Sequence, residues 1–319
     1  MIDNLKKSEI AERACGNLYS RLEKCDLCPR KCGVNRLKGQ KGFCRLASGI
    51  KVSSISIHYG EEPPISGTGG SGTIFFSSCN MRCVFCQNYM ISQSDSGKVV
   101  TEEELAEAML KLQQKGVHNI NLVTPSHVTA QIVKALAVAY KKGLKLPVVY
   151  NSGGYDSEDV LREMKGIVDI YMPDMKYFSS DEASLYSGAS GYPAANKAAV
   201  VEMYRQAGDL ILDKNNIAVK GILIRHLVLP DAVSGTKEIL NFIAKNISDS
   251  TYVSLMSQYF PEYKAAEFGR INRRLSDKEY DLAIRYFFDS GLRNGWLQGL
   301  DIDPDKFSIK KYLEADNCL

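Results

Sequence analysis

The sequence predicts an α/β fold: a partial (βα)6 barrel over residues 73–300, preceded by a small N-terminal cysteine-rich metal-binding module over residues 1–65. Three observations predict it. From Thr73 onward, short β-branched or apolar runs alternate with longer helical patterns, the order that builds a parallel sheet. Four cysteines crowd into residues 25–44. Between the two parts lies Ser-Gly-Thr-Gly-Gly-Ser-Gly at 66–72, which reads as a flexible junction. It precedes the first strand and lacks a closing Lys-Ser/Thr, so it is not a phosphate loop.

In chain order, the N-terminal module contains Cys25-Asp-Leu-Cys28-Pro-Arg-Lys-Cys32 and then Cys44. Four thiolates can close a tetrahedral shell around zinc or iron, or hold an iron-sulfur cluster. Gly33, Gly39 and Gly42 allow the backbone to turn around such a site. A structural staple is the expected role, because a small module poor in apolar residues needs one. Relay of electrons to the barrel and docking of a protein are the alternatives.

Strands are expected at 73–77, 118–124, 147–151, 167–172, 218–228 and 251–256. The first intervening helix opens on a capping box, Thr101 to Glu104, and stops at Gly116. The next, about 128–142, carries Ile132, Leu136, Ala139 and Tyr140 at helical spacing and stops at Gly143. Further helices are expected near 157–165, 194–208, 236–245 and 276–290, and residues 301–319 form a C-terminal tail.

Bulk properties exclude several classes. With 319 residues, 45% of them apolar, the chain can bury a sizeable core. A net charge of +3 does not announce a nucleic-acid binder, although the first seventy residues are richer in Lys and Arg. No apolar run is long enough to span a membrane, and the opening residues lack a secretory pattern. A cytoplasmic location without membrane partners is expected. Nine cysteines, seven of them in two clusters, fit metal binding in a reducing compartment better than disulfides.

The second cluster is Cys79-Asn-Met-Arg-Cys83-Val-Phe-Cys86, directly after the strand at 73–77. It offers three thiolates and no local fourth ligand. Clusters kept only for electron transfer, and structural zinc, normally have every position filled by protein. Three thiolates on a four-iron cluster leave one iron open for chemistry. The alternative, three cysteines serving as small hydrophobes, sits poorly with a polar, loop-like run. In a (βα) barrel the loops at the C-terminal strand ends build the active site. Those positions are polar here: Thr124-Pro-Ser126-His127, Asn151-Ser152-Gly153-Gly154-Tyr155, Asp174-Met-Lys176, Arg225-His226 and Ser257-Gln-Tyr259. Taken singly, Ser126 caps a helix, the glycines make a turn, and Asp174 with Lys176 forms an ion pair.

The C-x3-C-x2-C spacing with Phe85 before the last cysteine resembles the radical S-adenosylmethionine (SAM) enzymes, and the barrel resembles the branch containing the pyruvate formate-lyase activating enzymes. The resemblance further rests on Asn151-Ser-Gly-Gly-Tyr155 where activases carry Asp-x-Asn-Gly, on Met172-Pro-Asp-Met-Lys176 where they carry Asp-x-Lys, and on Ile224-Arg-His-Leu-Val-Leu-Pro230 where an Arg leads into an apolar-Pro turn. It implies a [4Fe-4S] cluster on Cys79, Cys83 and Cys86, with SAM chelated at the open iron and cleaved to a 5'-deoxyadenosyl radical that abstracts a substrate hydrogen. It also implies SAM contacts from Asp174, Lys176 and Arg225 and a reductant such as flavodoxin or ferredoxin. The chemistry of SAM extends the list: a guanidinium, Arg225, for its carboxylate; Asn151, Ser152 or Asp174 for the ribose; Phe85 for the adenine, with Ser126 nearby.

Three departures stand out. Asn151 replaces the carboxylate that binds a monovalent cation in activases, the Gly-Gly-Glu stretch after the second strand is absent, and the extra cysteines precede the triad instead of following it. The substrate classes are therefore a glycyl radical enzyme, or else a small molecule, peptide or RNA. A non-catalytic iron-sulfur carrier or docking protein is the reading from outside enzymology.

Overall fold

The computed structural model describes residues 4–94 and 96–298; the expected tail at 301–319 lies outside the described residues. Ten strands are described: β1 (Ile50–His58), β2 (Ser71–Phe76), β3 (Lys98–Val100), β4 (Ile120–Val123), β5 (Val148–Ser152), β6 (Ile170–Pro173), β7 (Ile211–Leu212), β8 (Ala218–Leu227), β9 (Tyr252–Met256) and β10 (Asn294–Leu297). They form one sheet in the order β10-β9-β8-β6-β5-β4-β2-β1-β3, with β7 beside β8. The six expected strands are β2, β4, β5, β6, β8 and β9. They run parallel and side by side. The sheet ends at β10 and β3 and does not close, so the barrel is partial.

Ten helices accompany the strands: α1 (Asn4–Ser20), α2 (Pro63–Ser66), α3 (Tyr89–Ser92), α4 (Glu102–Gln114), α5 (Thr129–Lys141), α6 (Glu158–Glu163), α7 (Ser180–Ser187), α8 (Tyr192–Ala207), α9 (Thr236–Asn246) and α10 (Asp277–Asp289). The box opening α4 is formed, with Glu104 accepting from the Thr101 amide at 2.8 Å and Thr101 from the Glu104 amide at 3.1 Å. Leu105, Met109 and Leu112 of α4 and Ile132, Leu136 and Tyr140 of α5 are buried in the largest core. A second core, rich in tyrosine, lies behind the cysteine triad. A third, with Ile65, Val149, Ile170, Met172 and Leu223, fills the inner face of the barrel.

The sheet extends beyond the six expected strands. β10 adds a seventh parallel strand, hidden in the sequence by its four-residue length and by Gly295. Gly295 has φ 137°, and a Cβ there would lie 1.9 Å from the Val253 carbonyl oxygen, so glycine permits the approach. Residues 50–65, expected in the N-terminal module, are instead tied to the barrel: β1 pairs antiparallel with β2 and β3, and Ile65 of α2 packs into the barrel's inner core. The glycine run at 66–72 is packed and not a free spacer. A Cβ on Gly70, at φ 78°, would sit 2.4 Å from Ile57 Cγ2. The cysteine-rich segment is also anchored: Ala11, Leu18, Leu22 and Leu27 share the main core with α4 and α5. Lys7 pairs with Asp169 at 2.6 Å.

Candidate active site

The turn after β2 carries the triad. Ser78 is left-handed at φ 72°, a conformation that costs a non-glycine residue energy and is held here by specific bonds. Its amide donates to the Ile91 carbonyl at 3.0 Å and its hydroxyl to the Cys44 carbonyl. Thr124, after β4, is left-handed as well, at φ 61°. Cys79, Cys83 and Cys86 are free thiols with partial exposure. Each sulfur has a polar neighbour: the Met81 amide donates to Cys79 at 3.4 Å, the Ser187 hydroxyl to Cys83 at 3.0 Å, and Ser92 Oγ lies 3.2 Å from Cys86. Such bonds to sulfur accompany cluster-bound thiolates. Desolvation pushes the Cys79 thiol up to about 12 and the Cys83 thiol upward too, so thiolates there require a neighbouring positive charge.

That charge is Lys176, whose ammonium is felt at both Cys79 and Cys83. Lys176 donates to Asp174, and Arg225 donates from Nε to the other Asp174 oxygen at 3.1 Å. Arg225 also donates from Nη2 to Asn151 at 2.8 Å and from Nη1 to Glu61 at 3.2 Å. Burial alone would raise Asp174, but the two cations outweigh it and hold the carboxyl below its usual range. Parallel strands place these groups together: β5 ends at Asn151 and Ser152, β6 delivers Asp174, and β8 pairs Arg225 beside it. Gly153 sits between Met81 and Lys176, since a Cβ there would lie 3.6 Å from the Met81 sulfur and 3.8 Å from Lys176 Cε.

Of the residues singled out in the sequence, Asn151, Asp174, Lys176 and Arg225 form this one network beside the triad. Ser126 and Ser152 are instead engaged by Asp156: Ser152 donates to it at 2.6 Å, Tyr150 at 3.0 Å, and Ser126 is also hydrogen-bonded to it. Phe85 is buried edge-on between Tyr177 and Tyr259, with ring centroids 6.4 and 5.7 Å away. Cys25, Cys28 and Cys44 are buried and Cys32 partly so. Among the described residues, no three or more His, Cys, Asp or Glu side chains converge at the spacing of a single ion. An iron-sulfur cluster distributes its thiolates over separate irons.

Two acids beside this network escaped the sequence reading, Glu61 and Glu62. Glu61 is shared between Arg225 and Asn121, the latter donating at 2.9 Å. Both acids line a 610 Å³ cavity on the inner face, together with Arg225, Ser254, Trp296 and Gln298. Glu62 Oε2, Ser254 Oγ and Gln298 Oε1 are buried there without a hydrogen-bond partner. Desolvation raises the Glu62 carboxyl, with Arg225 opposing. The only local signal was the acid pair ahead of Pro63-Pro64, which says nothing about a partner 164 positions away.

A triad of thiols on a strand-end turn thus faces a network of charges inside a partial barrel. The chain belongs to the Radical SAM superfamily, whose description matches residues 73–243. An uncharacterized protein of Methanocaldococcus jannaschii is 34% identical over 281 residues, covering 83% of this chain and 75% of that protein. A pyruvate formate-lyase-activating enzyme of Clostridium pasteurianum is 25% identical over 201 residues, covering 60% and 76%. Among solved structures, methylornithine synthase aligns with TM-score 0.45 at 18% identity, over 67% of this chain and 60% of that one. A radical SAM methyltransferase from Sphaerobacter thermophilus aligns with TM-score 0.44 at 14% identity, over 72% and 67%. Membership implies a [4Fe-4S] cluster, SAM, and an external reductant such as flavodoxin or ferredoxin. No described helix is long and apolar enough to cross a membrane.

Proposed function

We propose that Cys79, Cys83 and Cys86 hold the [4Fe-4S] cluster, and that Asn151, Asp174, Lys176 and Arg225 receive SAM beside it for hydrogen abstraction from a substrate. One observation carries this reading: three free thiols on the turn after β2 face the Lys176–Asp174–Arg225 chain of charges. When bound and reduced, the cluster supplies the electron that splits the sulfonium of SAM into methionine and a 5'-deoxyadenosyl radical. Lys176 opposes the negative charge of the thiolates. Three bonds occupy three of the five N–H groups of Arg225, leaving two for the SAM carboxylate. Asp174 and Asn151 fix the guanidinium plane and offer acceptors to ribose hydroxyls. Phe85 and its tyrosine neighbours exclude water from one side.

Two substrate readings have separate support. The cavity favours a small molecule or single side chain, because 610 Å³ is ligand-sized and its unpartnered polar atoms are mostly acceptors. The likeness to the C. pasteurianum protein supports an activase acting on a glycyl radical enzyme. The test of the chemistry is 5'-deoxyadenosine formation by anaerobically reconstituted, dithionite-reduced protein with SAM, followed by mass spectrometry. The nucleoside forms with the native chain and disappears in Cys83→Ala. Equal formation by the variant sinks the assignment. Incubation with a glycyl radical enzyme, read as a glycyl radical by electron paramagnetic resonance, decides between the substrate readings.

A further inference from the structure

We propose that the N-terminal cysteines Cys25, Cys28, Cys32 and Cys44 hold an iron-sulfur centre as thiolates, and that this centre props the turn bearing Cys79, Cys83 and Cys86. The first observation is Arg36. Its side chain is 1% exposed, and its guanidinium donates to the Ala47 carbonyl at 2.9 Å and the His127 carbonyl at 2.7 Å. Its Nη1 lies 3.9 Å from the Cys25 sulfur, its charge is felt at Cys44, and Nη2 has no partner. No carboxylate bonds it among the described residues. A buried guanidinium without an anion is costly, and the groups beside it that can supply negative charge are thiols. Four thiolates around an iron-sulfur core of charge +2 carry a net −2, which one Arg partly offsets. The charge that Arg36 lacks is the charge such a centre brings.

The second observation is how the two cysteine regions are joined. Ser78, immediately before the triad, donates to the Cys44 carbonyl. The Asn80 side chain lies beside the Cys28 sulfur and donates to the Tyr155 carbonyl at 2.7 Å. Arg30, two residues after Cys28, donates to the Asn80 carbonyl at 2.8 Å and stacks 3.7 Å from the Phe43 ring centroid. Arg82, within the triad, stacks 4.4 Å from the same centroid and donates to the Phe43 carbonyl. Residues 78, 80 and 82 thus rest on atoms next to Cys44 and Cys28. Loading the first site fixes those atoms, and through them the turn that holds the second.

The propping half rests on the reading of the triad as a cluster site; the metal half does not. The test is metal and sulfide analysis of the full chain, anaerobically purified, with chelator-driven iron release. A Cys79→Ala/Cys83→Ala/Cys86→Ala variant retains iron and sulfide in about equal amounts, whereas zinc without sulfide overturns the cluster. If that variant is metal-free, the first site is refuted, whatever the triad does. A Cys25→Ser/Cys28→Ser variant loses that metal and releases its remaining iron about tenfold faster, within the 10–100-fold range for supporting residues. Should it not fold, Phe43→Leu removes the shared ring and touches no thiol. It keeps the first metal and speeds release from the triad; unchanged release overturns the propping. Arg36→Met weakens retention of the first metal about tenfold, while Arg36→Lys restores most of it. Radical chemistry failing by itself shows as absent 5'-deoxyadenosine with the first metal still bound.

Discussion

The two cysteine regions set the same side chain in different surroundings. Three of the N-terminal four are sunk among apolar residues and carbonyls, with Arg36 as the buried cation beside them. The triad is one thiol short, and its cation, Lys176, belongs to a network of two cations and two carboxylates that reaches the cavity through Arg225. A region that closes on its ligand stabilises; a region left one ligand short and wired to titratable groups can react. The sequence shows the count of thiols. The structure adds what surrounds each set.

The largest expected effect comes from cutting the wire. Arg225→Met leaves Asp174 with one cation and Glu61 with none, both largely out of solvent. Removing one partner of a buried pair costs about 3–5 kcal/mol, so denaturant unfolding shifts by that amount and SAM binding is lost. Unchanged unfolding would mean that the charges are solvated and the contrast between the regions is shallower than drawn. Next is Leu18→Ala in α1, fully buried in the core shared with α4 and α5. The cost is about 2–5 kcal/mol. Because the cysteine-rich segment and the barrel share this core, the whole chain loses stability in one transition. Two separate transitions, only one of them shifted, would restore an independent module.

Acid sharpens the comparison from another side. His226, next to Arg225, is buried and neutral: Nδ1–H donates to the Met175 carbonyl at 2.6 Å, and Nε2 accepts from Thr236 at 2.9 Å. Desolvation lowers it to about 4. The unfolded chain, with a histidine value near 6.5, binds the proton first, so stability rises with pH between about 4 and about 6.5 and is lost as pH falls through that window. Fully expressed, the loss is about 3 kcal/mol, from about 2.5 units at 1.36 kcal/mol each. Asp174, lowered by its cations, keeps its charge throughout this window and gives way only below the ordinary carboxylate value near 3.9. His127 is lowered to about 4 by burial as well, so His226→Gln about halves the slope in this window, and an unchanged slope would assign it to other groups.

Much of this was legible because it is local. Alternating strand and helix patterns, the box at Thr101 and the clustered cysteines are all written within a few residues. Asn151, Asp174 and Arg225 were found because parallel strands in register bring their C-terminal ends together. What could not be read depends on distant pairing. Glu61 meets Arg225 across 164 positions, β1 joins the barrel sheet although it precedes the glycine run, and Asp156 draws Ser126 and Ser152 into its own hydrogen bonds. Hydroxyl residues at strand ends have many partners to choose from, and sequence does not say which one wins.

The smallest expected effect is also the most discriminating. Glu62 is buried, its carboxyl is raised by desolvation, and its Oε2 has no partner in the cavity wall. Glutamine is close in shape to the protonated acid, so Glu62→Gln changes stability by less than about 1 kcal/mol. If the cavity belongs to SAM, the variant changes SAM affinity and uncoupled 5'-deoxyadenosine formation together. If the cavity belongs to the substrate, uncoupled formation is unchanged and only substrate-stimulated turnover responds, through KM more than kcat. The second outcome is expected, because the guanidinium plane of Arg225 is fixed by Asp174, Glu61 and Asn151, none of which the substitution changes, so its two remaining N–H groups keep their direction. The first outcome would move the boundary between cofactor and substrate inward, and with it the point at which the open cysteine region ends.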